Sequence, residues 1–164
     1  IDYRSVMPTN LYGPGDTYDL ENSHVIPALI KKFYEAKINN EKKVIVWGTG
    51  EPRREFLYVD DVAKGCCFIM NVDKDIFYKD INIMCSHINL GSGKDLTIKE
   101  LAQTIKNIIG YSGAIEFDVS KPDGMKRKNL DCKRAEELGW KPEVSLEEGL
   151  NKTIDIFLKK DNKK

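Results

Sequence analysis

Three pairs of side chains in this sequence could act together if the fold brings them into one polar cleft. They are Asn10 with His24, Trp47 with Arg54, and Asp123 with Lys128. The set supplies an imidazole, an aromatic face, two cations and a carboxylate. A nucleoside diphosphate ligand needs such groups, because cations bind the pyrophosphate and polar groups bind sugar hydroxyls or base N–H groups. The pattern therefore predicts a site for a nucleoside diphosphate.

Ordinary structural roles are the alternative for several of these residues. Arg54 can form a surface ion pair with Glu51 or Glu55, as exposed arginines often do. Trp47 stands at the end of a predicted strand and can pack at its rim. The basic run 126–128 can be a solvated face. Spacing alone leaves both interpretations open.

His24 lies in the first turn of a predicted amphipathic helix over residues 24–37. The apolar stripe of this helix recurs at i, i+1, i+4, i+5 and i+8 and consists of Val25, Ile26, Leu29, Ile30 and Phe33. Asn22 or Ser23 is expected to cap the helix. The positive end of the helix dipole disfavours imidazolium, and a neutral imidazole can donate or take a proton near neutral pH. The alternative is that His24 only caps the helix and packs.

The elements that must position these side chains alternate between strands and helices, which favours the α/β class. Strands are predicted over 2–7, 43–47, 87–90 and 114–119, with a short extended piece over 53–59. Further helices are predicted over about 61–71, from 98 to Gly110, over 132–138 and from 146 onwards. Two of them open with capping boxes, Thr97–Glu100 and Ser145–Glu148, and Asp60 or Asp61 is expected to cap the helix at 61. Residues 8–15 and 72–86 are predicted to be loops.

Composition narrows the class of protein. The 164 residues are 41% hydrophobic and 32% charged, which indicates a globular chain with a core. The formal net charge is zero, so a nucleic-acid partner gains no overall electrostatic support. No apolar run approaches the ~18 residues of a membrane span. Four cysteines without C-x-x-C spacing favour a reduced, cytoplasmic protein.

Three segments also carry the motifs of a known superfamily. PTNLYGP at 8–14 is similar to R-P-x-N-x-Y-G-P, REFLYVDDVA at 54–63 to R-D-F-x-H-V-D-D, and NLGSG at 89–93 to a third signature. The chain thereby resembles the extended short-chain dehydrogenase/reductases. Within them it is most similar to the GDP-L-fucose synthase family, through segments 19–29, 46–50, 120–124, 139–142 and 145–149.

The resemblance covers nearly the whole chain but only the C-terminal half of the family's length. It implies the last Rossmann elements plus a small α/β substrate-binding domain. Residues 1–15, 54–71 and 87–91 would contribute to the Rossmann part. Residues 16–53 and 92–164 would belong mostly to the GDP-sugar-binding part. Since the chain also begins without Met, we expect a fragment.

The resemblance further implies roles for individual residues. His24 matches a general acid of epimerisation and lies near the cofactor, NADP(H). The remaining cofactor positions are Pro8, Thr9, Asn10 and Leu11. The positions that would hold the GDP-sugar are Lys32, Trp47, Arg54, Asp123 and Lys128. Two residues depart from the usual pattern, because Lys32 replaces an Arg and Tyr58 replaces a His.

The implied activity of the intact enzyme is 3,5-epimerisation and NADPH-dependent 4-reduction of GDP-4-keto-6-deoxy-D-mannose, with a homodimer as the implied assembly. The chain contains neither the G-x-x-G-x-x-G nor the Tyr-x-x-x-Lys motif of the superfamily. We therefore expect these 164 residues to be inactive by themselves. Two alternatives remain open at this point. One is another nucleotide-sugar 4-epimerase or dehydratase, and the other is a non-catalytic nucleotide-sugar-binding module.

Overall fold

The computed structural model describes residues 2–19, 22–79 and 85–161. The helices of this part of the chain are α1 (Val25–Ile38), α2 (Val59–Asn71), α3 (Lys74–Tyr78), α4 (Ile98–Ile109), α5 (Lys133–Glu137) and α6 (Leu146–Asp161). The strands are β1 (Val6–Pro8), β2 (Asn10–Tyr12), β3 (Lys43–Trp47), β4 (Arg53–Tyr58), β5 (Ile88–Leu90), β6 (Asp95–Thr97), β7 (Ala114–Asp118) and β8 (Arg127–Lys128). The predicted α/β class is confirmed.

The strands form three small sheets. β1 pairs with β5 and β3 pairs with β7, both in parallel. In the third sheet β4 is central, since it pairs in parallel with β2 and β8 and antiparallel with β6. Parallel partners must be separated by a crossover in sequence, and helices supply most of these crossovers here.

Two hydrophobic cores hold the elements together. In the first, α1, α4, α6 and the inner face of β3 bury residues that include Phe33, Val44, Ile105 and Leu150. The second core surrounds α2 and β5, and its buried residues include Leu57, Ile69, Phe77, Ile88 and Trp140. The stripe predicted for α1 is confirmed, because Ile26, Leu29, Ile30 and Phe33 are all buried.

The predicted limits of α4 are confirmed in atomic detail. Thr97 accepts a hydrogen bond from the Glu100 N–H at 3.0 Å, and the Glu100 carboxylate accepts one from the Thr97 N–H at 2.7 Å. This is a complete capping box. Gly110 ends the helix in a left-handed conformation with φ 71°, which glycine adopts without steric cost.

The predicted caps of α1 and α2 are wrong. The N-cap of α1 is His24, not Asn22 or Ser23, and α2 begins at Val59, two residues before the predicted start. Asp61 does not cap its own helix, because its buried carboxylate accepts hydrogen bonds from the backbone N–H groups of Glu143 and Val144 at 3.1 and 2.9 Å. A tertiary contact replaces the local cap.

Four short elements were not predicted. The turn-rich loop 8–15 contains β2, the connection 72–86 contains α3, β6 precedes α4, and the basic run contains β8. All four are too short for a periodic pattern, and β2, β6 and β8 form by pairing with β4. The predicted strand 2–7 is narrower than expected and begins at Val6. Residues 80–84 of the predicted connection lie outside the described residues.

The cysteines and the lengths of the helices also bear on predictions from the sequence. Cys66, Cys67, Cys85 and Cys132 are free cysteines in the structure. Among the described residues, no helix combines the length and the apolar character that a membrane crossing needs.

Candidate functional site

A cavity of about 790 Å³ brings together side chains from distant parts of the chain. They come from the segment after β1, the start of α1, strand β4 and the turn that follows β7. Among its lining residues are Pro8, Thr9, Asn10, Leu11, His24, Val25, Arg54, Phe56 and Asp123. Seven of the ten residues that the sequence predicts for the site therefore share one cleft.

His24 is one of the residues that line this cavity. The residue is exposed, its backbone is extended, and its carbonyl accepts a hydrogen bond from the Ala28 N–H at 3.1 Å. Its side chain makes no capping hydrogen bond. His24 is therefore the N-cap residue by its backbone alone, and its side chain neither caps the helix nor is buried. The imidazole can exchange a proton with a ligand in the cavity.

The segment 8–11 is held against β4 by its own polar side chains. Thr9 Oγ1 and Asn10 Nδ2 both donate to the carbonyl oxygen of Glu55, at 3.3 and 2.7 Å. These side chains are thus committed to positioning the segment. Leu11 remains exposed and offers the cavity an apolar surface.

Glu55 is a site-building residue that the sequence patterns did not reveal. Its side chain is 0% exposed, and its two carboxylate oxygens accept hydrogen bonds from the Gly93 and Leu130 N–H groups, both at 2.8 Å. A Cβ at Gly91 would lie 2.3 Å from Oε1, so only glycine fits there. Glu55 therefore joins β4 to two loops, and the signal for it was the acidic residue beside Arg54 in the second motif.

The neighbouring arginines of β4 have different tasks. Arg53 hydrogen-bonds Asp95, with Nε at 3.0 Å from Oδ1, and belongs to the structural frame. Arg54 lines the cavity, and its Nη1 donates to the Met125 carbonyl at 2.7 Å. Its Nη2 donates to none of the other described residues, and no ion pair joins Arg54 to Glu51 or Glu55. Alternation along the strand sends only one of the two guanidinium groups to the site.

Asp123 closes the cavity from the turn after β7. Its carboxylate accepts hydrogen bonds from Thr49 N–H at 2.6 Å and from Thr49 Oγ1 at 2.7 Å. Gly48 makes this approach possible, because its φ is 82° and a Cβ there would lie 2.3 Å from Asp123 Oδ1. The turn after β3 and the turn after β7 are thereby fixed to each other.

Trp47 and Lys32 line a second cavity of about 250 Å³ rather than the main one. Val25 lines both cavities, so the two are adjacent. Trp47 is 60% exposed, so packing leaves most of its surface uncovered. Lys32 donates to the Ile45 carbonyl at 3.1 Å, and burial lowers the pKa of its ammonium.

Lys128 lies beside Arg54 but outside the lining of both cavities. The two residues are direct partners in the β4–β8 pairing, and Lys128 is exposed. A longer ligand that reaches Arg54 can therefore meet Lys128 as well.

The buried thiol of Cys132 lies at the edge of this frame. Burial and the nearby Glu55 carboxylate raise its pKa to about 11. The protonated thiol is therefore the favoured form at neutral pH.

Parallel strands joined through helices, two signature segments on the paired strands β2 and β4, and one cleft lined by both segments define a class of protein. The chain belongs to the NAD dependent epimerase/dehydratase family, whose model matches residues 1–83. The predicted membership of the extended reductases is confirmed.

Individual relatives narrow the class. The chain is 52% identical to the GDP-L-fucose synthase of Escherichia coli (strain K12) over 162 residues, which cover 99% of this chain and 50% of that protein. A GDP-6-OMe-4-keto-L-xylo-heptose reductase from C. jejuni matches with a TM-score of 0.87 and 33% identity, covering 96% of this chain and 54% of that one. A GDP-L-fucose synthetase from Naegleria fowleri bound to NADP matches with a TM-score of 0.82 and 31% identity, covering 97% and 47%. The chain spans about half the length of the curated relatives it matches.

Proposed function

We propose that this chain is part of an enzyme that makes GDP-L-fucose, by 3,5-epimerisation and NADPH-dependent 4-reduction of GDP-4-keto-6-deoxy-D-mannose. The observation that carries the proposal is the single cavity shared by segment 8–11, His24, Arg54 and Asp123. The names of relatives at 44–52% identity support it. These relatives are informative because their sequences align with nearly all of this chain.

In this proposal the GDP-sugar lies along the two adjacent cavities. The sugar is placed near His24 and segment 8–11, and the diphosphate near Arg54 and Lys128. The base lies near Trp47 and Lys32, and Asp123 holds the turn between the two regions. This order places cations where the phosphates are and an aromatic face where the base is.

His24 acts as the general acid of epimerisation. The C4 ketone acidifies the C–H bonds at C3 and C5, so that positioned acid and base groups suffice to invert these centres. An exposed imidazole at the start of α1, without a capping hydrogen bond to break, can deliver a proton to the sugar carbon that faces it.

The cofactor of the proposed enzyme is NADP(H), which supplies the hydride when bound. The residues of this chain that would touch it are Pro8, Thr9, Asn10, Leu11 and His24. They fit that role in part, because Leu11 presents an apolar surface to the cavity while Thr9 and Asn10 hold the segment in place. A neighbouring structure at TM-score 0.82 was determined with NADP, which supports this choice.

We also propose that residues 1–15, 54–71 and 87–91 form the Rossmann part, and that residues 16–53 and 92–164 form mostly the GDP-sugar-binding part. Most buried residues of the first core lie in 16–53 and 92–164, and most of those of the second lie in 54–71 and 87–91, which supports this division. Tyr12, Phe56 and Tyr58 in the first core, and Ala135 and Trp140 in the second, join the two parts. A homodimer of the whole enzyme and a cytoplasmic location complete the proposal, the latter supported by the free thiols.

The test is deuterium exchange at C3 and C5 of the keto sugar in D₂O. It uses an enzyme form that joins these residues to the G-x-x-G-x-x-G and Tyr-x-x-x-Lys segments. His24→Gln should slow exchange by about a hundredfold or more, while GDP affinity changes little. His87→Gln is the matched control, since the other histidine of the chain lines a different cavity. Unchanged exchange in His24→Gln would refute the role of His24.

A GDP-keto-heptose reductase is the second candidate, because such an enzyme has a TM-score of 0.87 to this chain. The same experiment separates the two. An enzyme that reduces the C4 ketone without any exchange at C3 or C5 would be a reductase only. Exchange at both carbons before reduction would favour GDP-L-fucose synthesis.

A further inference from the structure

Trp47 carries two lysine ammonium groups close to its exposed ring. Lys32 Nζ lies 5.3 Å from the centroid of a Trp47 ring, and Lys121 Nζ lies 5.5 Å from it. The indole is 60% exposed and is therefore open to a further flat ligand. Lys32 is among the predicted ligand-binding residues, whereas Lys121 has no role in the proposed function.

Lys121 is held in place by hydrogen bonds on both sides. Before it, Ser120 Oγ donates to Asp118 Oδ1 at 2.6 Å, and the Lys121 N–H itself donates to the Asp118 carbonyl at 3.2 Å. After it, Asp123 is bound to Thr49 through two hydrogen bonds. The backbone that carries this ammonium group is thus fixed relative to the end of β3, where Trp47 stands.

The cavity beside Trp47 also contains an unused polar atom. Ser23 Oγ is buried and has no hydrogen-bond partner among the described residues, and Ser23 lines the 250 Å³ cavity together with Lys32 and Trp47. Buried polar groups are nearly always hydrogen-bonded in folded proteins. A hydroxyl-bearing ligand, such as the ribose of a nucleoside, would satisfy this atom.

We propose that Lys121 selects the base of the nucleotide, by donating hydrogen bonds to O6 and N7 of a 6-oxopurine stacked on Trp47. This inference rests on the proposed function, in which a nucleotide sugar occupies the two cavities. Lysine has only donors, and O6 and N7 of guanine are adjacent acceptors on one edge of the base. Adenine presents an amino donor at position 6, and pyrimidines have no N7.

A role of Lys121 at the base, rather than at the diphosphate, follows from the positions of the other cations. Arg54 and Lys128 are neighbours across the β4–β8 pairing and supply the charge that a diphosphate requires. Lys121 instead lies at the ring of Trp47, at the end of the site where an aromatic face is available for stacking.

The test measures binding of GDP, IDP and ADP to the 164-residue chain by titration calorimetry. The chain should bind GDP and IDP with similar Kd values, because both bases carry O6 and N7, and should bind ADP about tenfold more weakly. Lys121→Met should remove most of this preference and leave the Kd for ADP nearly unchanged. Lys121→Arg should retain the preference. Lys42→Met, at the opposite end of β3, is the control and should leave all three Kd values unchanged.

The possible outcomes separate this inference from the proposed function. Equal Kd values for GDP and ADP in the unsubstituted chain would overturn the inference that Lys121 selects the base. They would leave the proposed function standing. An equal loss of GDP and ADP affinity in Lys121→Met would also overturn it, since Lys121 would then bind the phosphates. No binding of any of the three nucleotides, with circular dichroism showing a folded chain, would also overturn the placement of the nucleotide sugar in these two cavities.

Discussion

At the scale of single residues, consecutive side chains of β4 serve three different purposes. Arg53 fastens the frame through Asp95, Arg54 faces the cavity, and Glu55 is buried beneath two loops. The strand alternation separates the two arginines, while the burial of Glu55 depends on the amide groups that other parts of the chain bring to it. Three adjacent residues of β4 thus have three different surroundings: an ion pair, a cavity and a buried hydrogen-bond network.

Glu55→Gln tests the structural role of the buried carboxylate. The amide of Gln has one acceptor oxygen, so its NH₂ group would face a backbone N–H that has lost its partner. We expect the free energy of unfolding to fall by about 2–4 kcal/mol in urea denaturation. Glu51→Gln, at an exposed position, is the control and should change it by less than about 0.5 kcal/mol. Equal stability of the two variants would show that the carboxylate charge is not required.

At the scale of elements, the junction of β4, β6 and β8 depends on an ionic cluster. Asp95 on β6 hydrogen-bonds Arg127 of β8 through Oδ2 and Arg53 of β4 through Oδ1. Its side chain is largely shielded from solvent. The hydrogen bond from Arg127, followed by that from Arg53, lowers the pKa of the Asp95 carboxyl. Side-chain contacts thus reinforce the backbone pairing of these short strands.

The lowered pKa of Asp95 predicts how stability depends on pH. Because the unfolded chain binds the proton more tightly than the folded one, the contribution of Asp95 is complete above its unfolded pKa, near 4, and is lost as pH falls through the folded pKa. Urea unfolding between pH 6 and pH 3 should therefore show a steeper loss for the parent chain than for Asp95→Asn. Asp155→Asn, on the exposed face of α6, should behave like the parent. A parent curve parallel to that of Asp95→Asn would contradict this assignment.

At the scale of the whole molecule, the cleft lies between two cores, and one sheet has an open edge. β1 pairs with β5, and no further strand among the described residues covers its other side. Several apolar side chains along residues 3–11 are exposed, namely Tyr3, Met7 and Leu11. Exposed apolar residues on and beside the open edge of a strand favour self-association.

We expect the 164-residue chain to associate as its concentration rises, as measured by sedimentation velocity. Met7→Glu should shift the distribution toward the monomer, because a charge at the edge of β1 opposes strand pairing. Ile38→Glu, at the exposed end of α1, should have no such effect. A chain that stays monomeric at all concentrations would contradict the expectation and favour the non-catalytic binding module.

Sequence motifs and hydrophobic periodicity predicted the structure best where its physical cause is local. The stripe of α1, the capping box of α4 and the glycine at its end follow from neighbours three or four residues apart, and all three are confirmed. The residues implied by the family motifs were likewise identifiable, and seven of them line one cavity.

The tertiary structure alone decided what depends on distant partners. It turned Asp61 from a helix cap into an acceptor for the loop at 143–144, and it made β2 and β8 strands by pairing them with β4. It also buried Glu55 and placed Lys121 at the ring of Trp47, 74 positions away in sequence. A hydrogen-bond partner or a ring contact supplied from another part of the chain leaves no periodic trace in the sequence, because it depends on how the two cores pack.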